Sequence, residues 1–541
     1  MSLTKGVFLG SGAYGKLYTS KYGESKVAVK CNFKDEHIDG ASSLKELDIN
    51  ANLVHEHVLS VSHVVTDLPF KQDLISPIGD GLRLDSIHFC MPPGVGSLSK
   101  YLHELKRPLN LEEIRMFTCH MLLGLEYAHS LGIMHRDLKP SNMILFQQPM
   151  LPAGRDSGSM ELKLGDWGLA EIHCNIKQSR LVMSYPYRAP DVILSTVYDL
   201  KADIWSIGCI LYELVADCRL INVKEDNNAA IIKRIVNVLP KKLHSEDISR
   251  IQSKHPDIKQ DKKRKSFLSR IKVGMLQRLL DEGLEEKELS SLLNGLLAFR
   301  PTERLSATEA LNLSFFEPHR KYIEVLRSRH TNTVPLYRQP MPIYNCSEKV
   351  VVTDFILFIF DSRIAKTQGL KWCSDRVLFS SVSLCNLYIA CSMISIKKKP
   401  ADVTSKDRLV IPDRANILGT YLWCLYMMVK YHSIVDLPMS LAELIKSIDF
   451  SQYRGGRFKS GDFLTRSVLK SMISLEQKII KANKFTIYRE TPYDVAMRSS
   501  YSNTPSDIKD LLIFYCSFPA SEAITGQEIY ESFLKQKNVT A

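Results

Sequence analysis

The stretch His135-Arg136-Asp137-Leu138-Lys139-Pro140-Ser141-Asn142, followed by Asp166-Trp167-Gly168, decides how this chain reads. Asp137 can accept a proton, and Lys139 sets a positive charge beside it for an anionic group. Asn142 and Asp166 offer the hard oxygen donors that Mg2+ takes. A short string of this kind arises by chance, so its weight depends on what surrounds it.

Upstream, Val7-Phe8-Leu9 and Leu17-Tyr18-Thr19 read as strands, with Gly10, Gly12 and Gly15 between them. Glycines allow a backbone to approach phosphates closely. A dinucleotide-binding reading needs a helix after the third glycine, whereas this sequence continues as a strand. Val27-Ala28-Val29-Lys30 is a further strand ending in lysine. Glu46 follows on a helical stretch, where Ser43-x-x-Glu46 also spells a capping box. From Asn110 a helix is signalled. Asn110 caps it, Glu113 suits the positive end of its dipole, and Ile114, Phe117, Met121, Leu122, Leu125 and Ala128 make one apolar face.

This ordered set resembles the catalytic core of eukaryotic-type protein kinases, in the serine/threonine form. The resemblance implies an α+β bilobal kinase fold over residues 1–320, with a small β-rich N-lobe and a helical C-lobe. It implies transfer of the ATP γ-phosphate to Ser or Thr of protein substrates. Asp137 is then the base, Lys139 stabilises the transferring phosphoryl group, Lys30 grips the α and β phosphates and Glu46 holds Lys30. Gly10, Gly12, Gly15 and Leu17 surround ATP, while Asn142 and Asp166 hold Mg2+. Three features depart from the pattern. Trp167 replaces the usual Phe, residues 146–160 lengthen a hairpin loop, and Asp191 stands for the glutamate expected to pair with Arg304. Being one methylene shorter, Asp191 is expected to pair less fully.

Gly12-Ala13-Tyr14-Gly15, Ser141-Asn142 and Tyr187-Arg188-Ala189-Pro190 resemble the cyclin-dependent and mitogen-activated kinase group. The Thr-x-Tyr signature of mitogen-activated kinases is absent. The stretch 41–46 lies where cyclin-dependent kinases carry their cyclin-binding helix, with Lys45 at the family's arginine. The family's activating phosphosite falls on Ser179. Of the three arginines that receive that phosphate only Arg136 is kept, with Lys45 a substitute and Glu171 at the third place. A carboxylate there opposes a phosphate, so weak dependence on activation-segment phosphorylation is expected. Tyr14 matches an inhibitory tyrosine. Arg188 suggests proline after the target residue, although Met183 alters that pocket.

Within the connecting stretch 321–350, a short helical piece over 321–327 comes first, and 330–349 then reads as a proline-bearing linker. Residues 351–497 turn apolar and resemble a cyclin box, an all-α helical domain. The resemblance rests on an amphipathic helix over 376–390, a buried helix over 417–430 and the run 475–492. It implies that Lys430 and Glu476 contact the kinase helix that carries Glu46. Residues 498–541 read as a helical tail. The whole is read as a kinase fused to its own activator, making an intramolecular kinase–cyclin-like contact. A linker of about twenty residues can span at most ~65 Å, enough for docking in cis. The rivals are a pseudokinase scaffold that binds nucleotide and a C-terminal domain that serves another protein in trans.

A chain of 541 residues exceeds one core, and 45% hydrophobic with 24% charged residues excludes a disordered chain. A net charge of +12 reads as a basic surface, without a nucleic-acid module. The twelve scattered cysteines form no Cys-x-x-Cys, so neither a disulfide framework nor a zinc site is expected. With the glycine loop so near the start there is no room for a signal peptide, and 417–429 is too short to span a bilayer. A cytoplasmic or nuclear protein is expected, away from membranes, with Lys262-Lys263-Arg264-Lys265 a candidate import or docking patch.

Overall fold

The computed structural model describes residues 3–12, 15–22, 24–32, 41–65, 88–147, 160–172, 182–195, 198–224, 226–259, 264–330 and 341–342. Further on it describes 356–357, 359, 374–385, 421–422, 424–425, 428, 432, 491–498, 504–517 and 523–536. These residues fall into two compact units, one within 1–31, 53–65 and 88–333, the other within 32–52 and 334–541.

In the first unit, five strands form an antiparallel sheet: β1 (Leu3–Gly12), β2 (Gly15–Tyr22), β3 (Ser25–Asn32), β4 (His63–Val65) and β5 (His88–Met91), in the order β1-β2-β3-β5-β4. β1 and β2 close a hairpin with Gly12 opposite Gly15, so a strand follows the third glycine, as expected. β3 buries Val27, Ala28, Val29 and Cys31, which fixes the Lys30 backbone at the edge of the core.

Two helices carry the helical lobe. Helix Leu111–Ser130 begins with the Asn110–Glu113 capping box that its sequence announces. Its apolar face, Ile114 to Ala128, is buried. Helix Lys201–Ala216 is buried nearly all round, as a helix inside a lobe must be. At Gly208 an added Cβ would lie 2.8 Å from Leu297, so this glycine permits the close packing of helix Glu286–Leu296. The lengthened hairpin is a pair of strands, Met143–Gln147 and Met160–Leu164, in register from Met143–Leu164 to Gln147–Met160.

In the connecting stretch 321–350 the expected helical piece over 321–327 is present within a longer helix, and a short strand is also described. Helix Arg320–His330 buries Ile323 and Leu326 and reaches Glu126 through two Arg327 hydrogen bonds of 2.9 and 2.7 Å. Met341–Pro342 pairs antiparallel with Ala523–Ile524.

In the second unit, helix 375–385 is buried continuously from Arg376 to Cys385. The amphipathic reading of this helix is corrected accordingly: it is covered on every side. Its one guanidinium is neutralised inside, Arg376 Nε donating to Asp494 Oδ1 at 3.1 Å. Phe379 stacks on Tyr493 and Tyr515 at centroid distances of 5.2 and 6.0 Å. Tyr421, Leu422, Cys424, Leu425 and Met428 are helical and buried. Helices Pro492–Arg498, Pro505–Ser517 and Gly526–Gln536 pack together, so residues beyond 497 share this core.

Helix Ala41–Asn52 also belongs to the second unit. It starts at Ala41, which places Ser43 within the helix and not at its N-cap position. Every residue from Lys45 to Asn50 is buried. Tyr14, Ser179, Lys430 and Glu476 lie outside the described residues. Among the described residues no helix is long and apolar enough to cross a membrane.

Candidate active site

Between strand Ile133–Met134 and the turn Pro140–Asn142 the chain makes a tight loop. Asp203, at the head of helix Lys201–Ala216, anchors it by accepting from the backbone amides of His135 (2.8 Å) and Arg136 (2.9 Å). Burial raises the Asp203 carboxyl, but the hydrogen bond and charge of His129, with His135, hold it below the ordinary carboxylate range. The clamp allows Arg136 to sit at φ 64°, a conformation costly for any side-chain-bearing residue. His135 Nε2 lies 3.0 Å from the Gly165 carbonyl and its Nδ1 accepts from the Asp137 amide, which ties this loop to the segment before Asp166.

Asp137 ends up enclosed by donors. Oδ2 accepts from Lys139 Nζ at 2.6 Å and Asn142 Nδ2 at 3.2 Å, and Oδ1 from Ser184 Oγ at 2.8 Å and the Ser184 amide at 3.1 Å. Lys139 Nζ also donates to Ser184 Oγ at 3.0 Å. Nothing in the sequence motifs singles out Ser184; its one signal is a hydroxyl three residues before Tyr187.

Across the unit, Lys30 Nζ pairs with Asp166 Oδ1 at 2.9 Å. Burial raises the Asp166 carboxyl, yet Lys30, with help from His135 and Lys139, holds it below its usual value and therefore ionised. Asp166 sits at φ 59°, and Trp167 follows it fully buried, its indole N–H reaching the Leu164 carbonyl at 3.3 Å and its ring 4.5 Å from that of His135. The larger ring thus finds both packing and a partner directly after Asp166. Asn142 Nδ2 is committed to the Asp137 carbonyl at 2.9 Å, which leaves its Oδ1 as the donor atom for a cation. That oxygen and the ionised Asp166 are hard donors suited to Mg2+.

The pattern of the protein kinase domain matches residues 3–316. The chain belongs to the protein kinase family. It is similar to mitogen-activated protein kinases called HOG1: 29% identical over 320 residues to that of Blumeria graminis, covering 58% of this chain and 78% of the relative. The one from Neurospora crassa is 29% identical over 323 residues, 58% of this chain and 77% of the relative. The one from Debaryomyces hansenii is 28% identical over 321 residues, 58% and 72%. The chain is a serine/threonine protein kinase with the bilobal fold, and kinases of this family use ATP and Mg2+.

Beyond the catalytic loop of this kinase, Arg188 donates to both carboxylate oxygens of Asp226 at 2.6 and 3.0 Å and to the Met183 carbonyl at 2.9 Å. Met183 stands at φ 68°. Asp191 pairs with Arg304 at 2.9 Å, both buried, while its second oxygen has no hydrogen-bond partner, so the shorter side chain does pair only in part. Glu46 is buried on helix Ala41–Asn52, which groups with the second unit.

His55, Glu56 and His330 converge as a cation site would. Glu56 already accepts from Arg329 at 2.7 Å and from His330 at 2.8 Å, and Lys163 donates to its carbonyl. These positive neighbours oppose a dication, and the cluster is a clasp between the 53–65 loop and helix Arg320–His330.

Proposed function

We propose that this kinase transfers the ATP γ-phosphate with Asp137 as the base that orients the target hydroxyl. Lys139 places its charge on the transferring phosphoryl group while holding Asp137. Lys30 contacts the α and β phosphates, beneath the Gly10, Gly12 and Gly15 loop and Leu17. Asn142 and Asp166 are the residues that would hold Mg2+, which when bound neutralises charge on the triphosphate. Catalysis is by positioning and charge stabilisation. The observation that carries this reading is the enclosure of Asp137 by Lys139, Asn142 and Ser184. Labelled ATP, a protein substrate and the variant Asp137→Asn test it. The variant is expected to lose about 10²–10⁴-fold in transfer with nucleotide binding kept. Nucleotide binding without transfer by the wild type would instead establish a scaffold.

Proline after the target residue is favoured by Arg188. With the Met183 carbonyl taken by that guanidinium, a substrate N–H arriving there finds no acceptor, and proline has no N–H to leave unpaired. A Ser-Pro peptide should outpace its Ser-Ala twin by about tenfold in kcat/KM; equal rates reject the preference.

We infer further that the C-terminal unit is cyclin-like and acts in cis, with Lys430 and Glu476 as its contact pair. The helix carrying Glu46 groups with the chain after Val334 in one compact unit, and it is buried throughout 45–50. A unit that grips this helix biases Glu46 toward Lys30 by population shift. The tether makes the contact intramolecular at roughly millimolar effective concentration. Specific activity should then be unchanged on dilution from micromolar to nanomolar protein. A fall on dilution points to action in trans.

A further inference from the structure

The Arg136 guanidinium lies in a closed environment. Its Nε donates to the Leu169 carbonyl at 2.7 Å, it bonds the Tyr198 hydroxyl, and Nη2 meets Glu171 Oε2 at 3.4 Å. The side chains of Arg136 and Glu171 are only 1% and 6% exposed, so the pair is shielded from salt and water. Neither partner is free to swing away. Glu171 belongs to the short strand Glu171–Ile172, paired with Ile133–Met134, and Glu171 sits opposite Met134, two residues before Arg136. Arg136 is clamped at its own amide by Asp203.

Kinase activation segments are commonly ordered when a phosphate arrives on an arginine of this kind. Here a carboxylate is already in place, built into the strand that opens the segment. We propose that Glu171 is a permanent, covalently encoded substitute for the activating phosphate. It neutralises Arg136 and pins the start of the activation segment to the catalytic loop, so the kinase is competent without segment phosphorylation. This rests on the kinase reading above. A phosphate near −2 would meet Glu171 next to Arg136, and like-charge repulsion would cancel much of what the guanidinium offers. Glu171 is a positioning residue: it touches Arg136, not the substrate.

The test uses the full-length protein, treated with phosphatase and shown by mass to carry no phosphate. Transfer to a protein substrate is expected to stay within about threefold of the untreated enzyme, and Ser179→Ala should behave alike. Glu171→Gln, nearly isosteric, should lower kcat by about tenfold when assayed below its melting transition, where it is fully folded. Glu171→Arg should be inactive until its activation segment is phosphorylated and recover afterwards, a phosphate dependence that a merely structural role would not create. A hundredfold or so loss on dephosphorylating the wild type overturns the proposal. So does full activity of unphosphorylated Glu171→Gln. If untreated wild type transfers no phosphate, the kinase reading fails instead.

Discussion

The catalytic loop and helix Ala41–Asn52 both bury charge, but the chain they group with lies at very different distances along the sequence. In the loop, Asp137, Lys139 and Asn142 answer one another within six residues. The helix buries Lys45, Glu46 and Asp48 and groups with chain that starts nearly three hundred residues later. Groups that answer one another along a short stretch have a geometry that the local sequence sets. A helix buried with chain from far along the sequence depends on that chain, which is how a regulator gains a hold.

The most severe way to break this contrast is Asp494→Ala. It leaves Arg376 buried without its carboxylate and removes the Thr491–Asp494 cap. Losing one partner of a buried pair costs about 3–5 kcal/mol. The C-terminal unit should melt first, and transfer activity should fall with it while the kinase unit keeps its own transition. Undiminished activity with that unit unfolded would separate the helix from its proposed regulator.

Asp203→Asn strikes the local region instead. It takes one acceptor from the His135 and Arg136 amides, and a misplacement near 1 Å can cost about a hundredfold in rate. We expect that loss in kcat, with KM for ATP little changed. A KM effect alone would mean that Asp203 shapes nucleotide binding and leaves Asp137 in place.

What the sequence made legible follows the same division. The catalytic motif, the glycine hairpin and the Asn110–Glu113 cap were readable because their partners lie within a few residues. The Asp226 clamp on Arg188 and the role of Ser184 were not, because those partners come 38 and 47 residues away on other elements. For Glu171 the sequence shows a carboxylate that misfits a phosphate, while its bond to Arg136 depends on the strand pairing with Ile133–Met134. Helix 375–385 is legible as a helix, but its burial on every side is not, since sequence periodicity does not report how many neighbours a helix will have.

A change of pH sharpens the comparison further. Burial pushes His55 down to about 3 and His57 down to about 4, and His120 is lowered for the same reason. All three stay neutral in the folded kinase unit near neutrality. Unfolded histidines titrate near 6.5, so below that value the unfolded chain binds protons that the folded one refuses, and stability falls as pH drops from ~6.5 toward 4. The slope is on the order of 1 kcal/mol per pH unit for each histidine. The Glu56 carboxyl, raised by burial but held down to about 2 by His330 and Arg329, adds a smaller loss as pH falls below ~4.3. Urea midpoints of the kinase transition at pH 7.5 and 5.5 should differ accordingly, and coincident midpoints would show these rings to be charged when folded.

The gentlest probe is Asp191→Glu. Arg304 is fully buried over the Trp205 ring, donates to the Lys201, Ala298 and Phe299 carbonyls, and gives Asp191 a single bond. The unpartnered Asp191 Oδ2 is a buried acceptor, a cost of the short side chain. One methylene more lets the carboxylate reach the guanidinium with both oxygens, worth about 1 kcal/mol if the site yields without strain. Thermal melting should rise by roughly 2–4 °C with activity unchanged. A lower melting temperature would mean that the pocket closed around aspartate and that the added carbon overpacks it. The pair would then be a local fit, as complete as the catalytic loop.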